Sequence, residues 1–212
     1  MLIHRQSFYV IHQNRLWVKC WDQADIIFIM CDQMEDLPQL VEWLSEKDDA
    51  LRYQAFLLLK YRSQYSEDVY PFWDVFHHKL ASDNSYQRSI GLMLLADNVR
   101  WDKDNRIDSA VEDYLQILHD EKPITVRQCI QSLEILLNYK PHLQEIITDR
   151  LIEINLLEIK ETMRKLVLMD ILNVLIISSK KKASCAIENY ITLALTGEIL
   201  DKKARKQIEA ML

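Results

Sequence analysis

From Asp36 onward, apolar residues recur at spacings of three and four, the period of an α-helix that buries one stripe. Leu37, Leu40, Val41 and Leu44 make the first stripe, and SEKDDA, residues 45–50, is a polar turn. A second helix follows from Leu51, with Ala55, Leu58 and Leu59 on one face and Phe56 and Leu57 beside it. Its apolar circumference predicts that it is the more buried of the pair. The same pattern, a polar turn and then one strongly apolar helix, returns in DNSYQRSIGLMLLADNVRW, Asp83 to Trp101.

The unit continues to repeat. Ser66 to Asp68 can cap a helix carrying Val69, Phe72, Phe76 and Leu80, with Pro71 in the first turn, where a missing N–H costs little. After SDNS the partner helix runs from Tyr86 to Arg100. DKDN opens a third unit with Ile107, Val111, Tyr114 and Leu118; DEKP turns the chain into Val126, Cys129, Ile130, Leu133, Leu136 and Leu137. Pro141 opens a fourth, with Leu143, Ile146, Ile147, Leu151 and Ile154, then Met163, Leu166, Val167, Ile171, Val174 and Leu175. Two shorter helices, Ser184 to Thr196 and Asp201 to Leu212, close the chain, with Gly197 as the stop of the first. The reading is an all-α fold: an α-α superhelix of about four helical hairpins, with the last two helices as a cap over an end that has no neighbour.

Residues 1–32 do not share this pattern. FYVI and LWVKCW flank the polar HQNR, and their aromatic and β-branched content suggests a hairpin. DIIFIM is a third strand or the start of a helix. An extension from a misassigned start, with Met30 and Met34 as alternative starts, or a poorly ordered segment, fits the same residues. The expected organisation is therefore an N-terminal extension over 1–32 and a helical domain over 33–212.

Each second helix opens with an arginine: Arg52, Arg88, Arg127 and Arg164, at separations of 36, 39 and 37 residues. A cation near a helix N-terminus opposes the helix dipole, so a recurrent one wants a compensating partner. The preceding turns supply acids: Asp48 and Asp49, Asp83, Asp120 with Glu121, and Glu158. The expectation is that each arginine bonds an acid of its own or the adjacent turn and holds neighbouring units in register. The other reading is a row of anion-binding groups. Self-similarity at this period marks stacked helical hairpins. NSYQRSIG, Asn84 to Gly91, and DEKPITVRQCI, Asp120 to Ile130, resemble the HEAT-like repeats of a group of small bacterial proteins, some of which carry a label borrowed from iron–sulfur cluster assembly. The resemblance spans about Met34 to Ser179. It implies a HEAT/armadillo-type fold and brings no catalytic motif with it, because such arrays scaffold unrelated tasks.

Composition supports the helical reading. Of 212 residues only 2 are Gly and 4 are Pro, too little punctuation for an all-β fold or a Gly-cradled phosphate loop. The net charge of −6 is wrong for a general nucleic-acid binder. From Lys180 on there are seven basic and four acidic residues, so the part before carries −9. Cys20, Cys31, Cys129 and Cys185 show no CxxC spacing, and reduced thiols in the cytoplasm are expected. The longest clean apolar run near the start is IIFIMC, short of a membrane span.

Few constellations could carry chemistry. Asp74 and His77, with His78 beside them, share a helix face, but two ligands are not a metal site. Trp43, Trp73 and Trp101 lie amid many tyrosines without the basic surplus that a HEAT-like DNA glycosylase cleft needs; packing and partner anchoring are the alternative, with Trp101 the candidate for an exposed anchor. Gln128, Gln131, Glu134 and Asn138 form one polar helix face, which with Arg88 and Asp97 would make a concave binding surface or an ordinary solvated one. Asp170 interrupts the apolar stripe between Val167 and Val174. Either Asp170 and Asn173 face the concave surface, or Asp170 meets an arginine such as Arg127. The preferred function is a non-enzymatic cytoplasmic protein-interaction module that takes another protein or peptide, with no cofactor, metal or membrane. A glycosylase-type enzyme and an accessory role in iron–sulfur assembly are the alternatives.

Overall fold

The structure is a computed structural model that describes residues 37–212; the hairpin or extension expected over 1–32 lies outside them, as do Cys20 and Cys31. The described residues are all-helical, with ten α-helices and no strand. They fall into two compact units, divided between Tyr65 and Ser66.

In the first unit α1, Leu37–Trp43, packs on α2, Asp49–Tyr65. Leu37, Leu40 and Val41 are buried on one side, Ala55, Phe56 and Leu59 on the other. The turn stops and starts the helices by polar contacts. Asp48 Oδ1 accepts from the N–H groups of Ala50 (2.9 Å) and Leu51 (3.2 Å), a cap for otherwise unpaired donors. Arg52 donates to the Glu46 carbonyl at 2.9 Å and to the Asp49 carboxylate. Helix α2 is less buried than its apolar circumference predicts: Tyr53, Leu57 and Tyr65 are exposed. Among the described residues of its unit only α1 packs on it, and one neighbour covers one stripe.

The second unit begins with a 3₁₀ segment, Glu67–Phe72, capped by Ser66. Pro71 lies inside it, so the single helix expected here is a 3₁₀ turn followed by α3, Trp73–Lys79. Proline offers no N–H to an i→i−4 ladder, and the α-helix starts only beyond it. Helices α4 (Ser85–Asn98), α5 (Arg106–Gln116), α6 (Pro123–Tyr139), α7 (Gln144–Ile152), α8 (Glu161–Lys181), α9 (Cys185–Thr196) and α10 (Lys202–Glu209) follow. The pairs α3–α4, α4–α6, α6–α8 and α8 with α7, α9 and α10 pack against one another. Helix α6 is the middle of the core: Val126, Cys129, Ile130, Leu133, Leu136 and Leu137 are all buried. Each buried valine, isoleucine or leucine of this set contributes roughly 1.5–3 kcal/mol. Cys185, by contrast, is exposed at the start of α9. Gly197 ends that helix in an extended conformation, φ −73°, not the left-handed one a glycine stop often uses.

Two close fits fix the packing. The first is Gly91. A Cβ there would sit 2.6 Å from the Phe76 carbonyl oxygen and 2.8 Å from Lys79 Cβ, so α4 approaches α3 at a distance that only glycine allows.

The second is Asp102, 3% exposed, at the entry to α5. Its Oδ1 accepts from Tyr70 Oη (2.7 Å) and Arg106 N–H (2.8 Å), and its Oδ2 from Ile107 N–H (3.1 Å). Lys140 Nζ lies 3.2 Å from Oδ2 and donates to the Asp102 carbonyl and to Asn105 Oδ1 at 2.6 Å. Asn105 adopts the left-handed conformation, φ 54°, which asparagine tolerates better than most residues. Burial opposes ionisation of Asp102, but hydrogen bonds from Tyr70, the two backbone N–H groups and Lys140 outweigh it and hold the carboxyl below its ordinary 3.8. Burial, then the bond to Asp102, pushes the Tyr70 hydroxyl up.

Two predictions follow from these fits. Gly91→Ala should destabilise by about 1–3 kcal/mol, the usual cost of overpacking, read by urea denaturation; a wild-type midpoint would mean that the helices separate freely. Asp102→Asn should cost about 3–5 kcal/mol at neutral pH, because it strands a buried ammonium. A depressed carboxylate stabilises above its ordinary value and loses that contribution as pH falls through the folded value. The wild type should therefore lose stability as pH drops below 3.8, and the Asn variant should show a shallower acid dependence over the same window.

Candidate functional site

The best candidate surface is the polar face of α6 with the adjoining part of α8. Gln131, Glu134 and Asn138 are exposed along α6, at the i, i+3, i+7 spacing that keeps them on one side of the helix. One residue back along the helix from each of them, about 100° round it, Ile130, Leu133 and Leu137 are fully buried, so the apolar side chains fix the rotation that presents the polar ones.

One end of this face is tied down. Arg127 Nε is 2.6 Å from Asp170 Oδ2 and its Nη2 3.3 Å from Oδ1, where Gln131 Nε2 also donates at 3.0 Å. Asp170 is 7% exposed. The carboxylate that interrupts the apolar stripe of α8 is thus a link to α6, with Arg127 and Gln131 satisfying it. At the other end Lys181 Nζ donates to Asn138 Oδ1 (2.6 Å) and to the Leu137 carbonyl (2.8 Å). Between them Glu134 is exposed and forms no ion pair among the described residues. Asn173 is half-buried, and its Oδ1, like Gln128 Oε1, is buried and accepts no hydrogen bond from a described residue.

The other residues of the predicted surface are largely covered, with the Arg88 side chain 13% exposed. Asp97 is 2% exposed, inside the fold, and Trp101 is half-buried within a 3₁₀ segment, Val99–Trp101, so it is not the exposed anchor expected of it. The aromatic side chain at this surface is Tyr139, 45% exposed, with the Arg100 guanidinium 5.1 Å from its ring centre. It follows Asn138 directly, at the end of the same helix, a position that the polar series alone does not point to.

The arginines have several kinds of partner. Arg88 makes a two-pronged contact with Asp120 of the next turn, Nη2 to Oδ1 2.9 Å, and donates to the Ser82 (2.8 Å) and Asp83 (3.0 Å) carbonyls. Burial works against the Asp120 charge, but Arg88 and the Lys122 N–H hold its pKa down. The contact of Arg88 with Asp83 is to the backbone, and the Asp83 side chain is not its partner. Arg127 pairs with a helix carboxylate, not a turn acid. Arg164 donates to the carbonyls of Ile159 (2.9 Å) and Leu157 (2.9 Å), while Glu158 accepts from Asn155. A fifth member, Arg205, does the same to Leu200 (3.0 Å) and Gly197 (2.6 Å). Arg52, Arg88, Arg164 and Arg205 thus share one habit, capping carbonyls of the turn before them, and carbonyls at a helix end need such donors as much as acids need cations.

Asp74 pairs with Arg106 and His77 with Asp113 at 2.9 Å. No group of three or more His, Cys, Asp or Glu among the described residues is placed to hold a metal. No described helix is long and apolar enough to cross a membrane.

A double-mutant cycle on Arg127 and Asp170 should give a coupling of about 1–3 kcal/mol by chemical denaturation; additive losses would mean that the pair does not lock α6 to α8. Compared with known protein families and with curated proteins, the chain matches none.

Proposed function

We propose that this chain is a non-enzymatic, cytoplasmic protein-interaction module, a short HEAT-like α-solenoid that recognises another protein or peptide through the polar face of α6 and α8. The observation that carries the reading is the regularity of the side-chain bridges. Tyr70–Asp102, His77–Asp113, Arg88–Asp120, Arg106–Asp74, His142–Asp108, Arg150–Glu112 and Lys165–Asp201 each join residues 32 to 38 apart. Bridges one repeat long are what successive hairpins make when each touches only its neighbours. A surface built this way is stiff, so its contacts need little ordering when a partner arrives.

Glu134 lies exposed between the two ties of that face and belongs to neither, so reversing it leaves the Arg127–Asp170 and Asn138–Lys181 contacts in place. Glu134→Lys should abolish capture of a partner that the wild-type chain retains from its native cells, with the circular-dichroism melt unchanged. Retention of the same proteins by both would remove the α6 face from consideration.

A further inference from the structure

Helix α8 is apolar on more than one side. Val167, Ile171, Val174 and Leu175 are buried against its neighbours. On another side Met163, Leu166, Met169 and Ile177, with Asn173 among them, follow at steps of three and four, which keeps them in one stripe. Leu166 is 38% exposed and the others are half-buried. Asp170, on one flank of the stripe, reaches Arg127 of α6; Lys165, on the other, reaches Asp201 at the entry to α10 (2.9 Å). Lys180 Nζ donates to the Met211 carbonyl at 2.6 Å, so α10 lies alongside α8, start to start and end to end.

The flank toward α10 is cationic. Arg205 repeats the carbonyl grip of Arg164, so Lys203, Lys206 and Gln207 take the places on α10 that Thr162, Lys165 and Leu166 hold on α8. All three are exposed. Lys160, Lys182, Lys202, Lys203 and Lys206 are exposed, and their side chains make no hydrogen bond or ion pair among the described residues. The other lysines and arginines of the second unit each meet an oxygen or an aromatic ring. The unanswered cations therefore gather at the two ends of α8 and along α10. Lys202 and Lys206 stand four apart and Lys203 three from Lys206, like charges that weaken a helix when no anion answers them.

We propose that the α8 stripe and the α10 lysines dock an amphipathic helix of a partner protein, one whose leucine-like row is flanked by glutamate or aspartate. The row lies on Leu166 and Met169, where methionine adapts to the shape it meets, and the acids face Lys203 and Lys206. This rests on the reading that the α6–α8 side is an interaction surface and adds the chemistry it selects. The stripe from Met163 to Ile177 is about 21 Å long, a span that a helix follows with residues at the same steps. A nucleic acid would use the lysines and leave the apolar stripe uncovered.

The test uses the full chain and a fluorescent helical peptide with leucines at steps of three and four and glutamates beside them. Control peptides replace glutamate by lysine, or leucine by alanine. Anisotropy should show binding of the leucine–glutamate peptide only. Lys203→Glu with Lys206→Glu removes no hydrogen bond or ion pair and should weaken that binding at least about ten-fold. Leu166→Asp should abolish it. Lys103→Glu with Arg150→Glu, the same charge change before α5 and on α7, should leave it within about two-fold. No binding by the wild type, equal binding of the alanine peptide, or equal losses in the two double variants would overturn the proposal. So would a wild-type dimer in sedimentation that Leu166→Asp dissociates, because the stripe would then belong to a second copy. Absent peptide binding, with partner capture still lost in Glu134→Lys, would remove this proposal and keep the α6 reading. Circular dichroism confirms that each variant is folded, and the lysine double variant decides the matter if Leu166→Asp unfolds.

Discussion

A buried ammonium held against a buried carboxylate sits where three successive stretches of the second unit converge. Tyr70 comes from the 3₁₀ segment before α3, Asp102 from the turn before α5 and Lys140 from the end of α6, and they meet at one carboxylate. Taking such charges out of water is expensive, and the attraction between them repays it only when the remaining donors and acceptors are also satisfied. Here they are: two backbone N–H groups that α5 would otherwise leave unpaired point at the same oxygens. Asp102 is at once the cap of one helix and the joint between its neighbours. Neither role can be lost without the other.

The remaining bridges are weaker and more numerous. Exposed pairs such as Lys103–Glu67 and Arg150–Glu112 sit in water, where screening leaves them little net effect on stability. The burial of α4, α6 and α8 on one another is larger by far. The bridges therefore select the register in which apolar packing occurs and add little to its strength. Gly91 belongs to the same division of labour: it contributes no contact of its own and lets two backbones come close enough for Phe76 and Ile90 to be covered.

Helix positions were legible in the sequence because the 3.6-residue apolar period is strong between Asp36 and Ser179, and because turns such as SDNS and DEKP interrupt it cleanly. The Arg88 contact with Asp120 was legible too, since an acid stood ready in the adjacent turn. Arg164 and Arg205 were not, because their acceptors are carbonyls, which every residue has and which leave no trace in a sequence. Lys140 looked like an ordinary charged residue before a proline; only the fold places it 3.2 Å from Asp102 Oδ2. Trp101 misled for the converse reason: an aromatic flanked by charges reads as exposed, yet a short 3₁₀ turn tucks it half inside.

Arginine caps that grip carbonyls act on the backbone and not on side-chain chemistry. Almost any residue can stand at Leu157, Ile159, Gly197 or Leu200 and still offer the same oxygen. The turns between helices can consequently drift in composition, gain or lose charge, and diversify the outer surface while the guanidinium keeps its hold. What such a cap cannot absorb is a change in loop length, which would carry the oxygen out of reach. Variation among relatives of this chain would then gather in what the turns are made of, and far less in how many residues they contain.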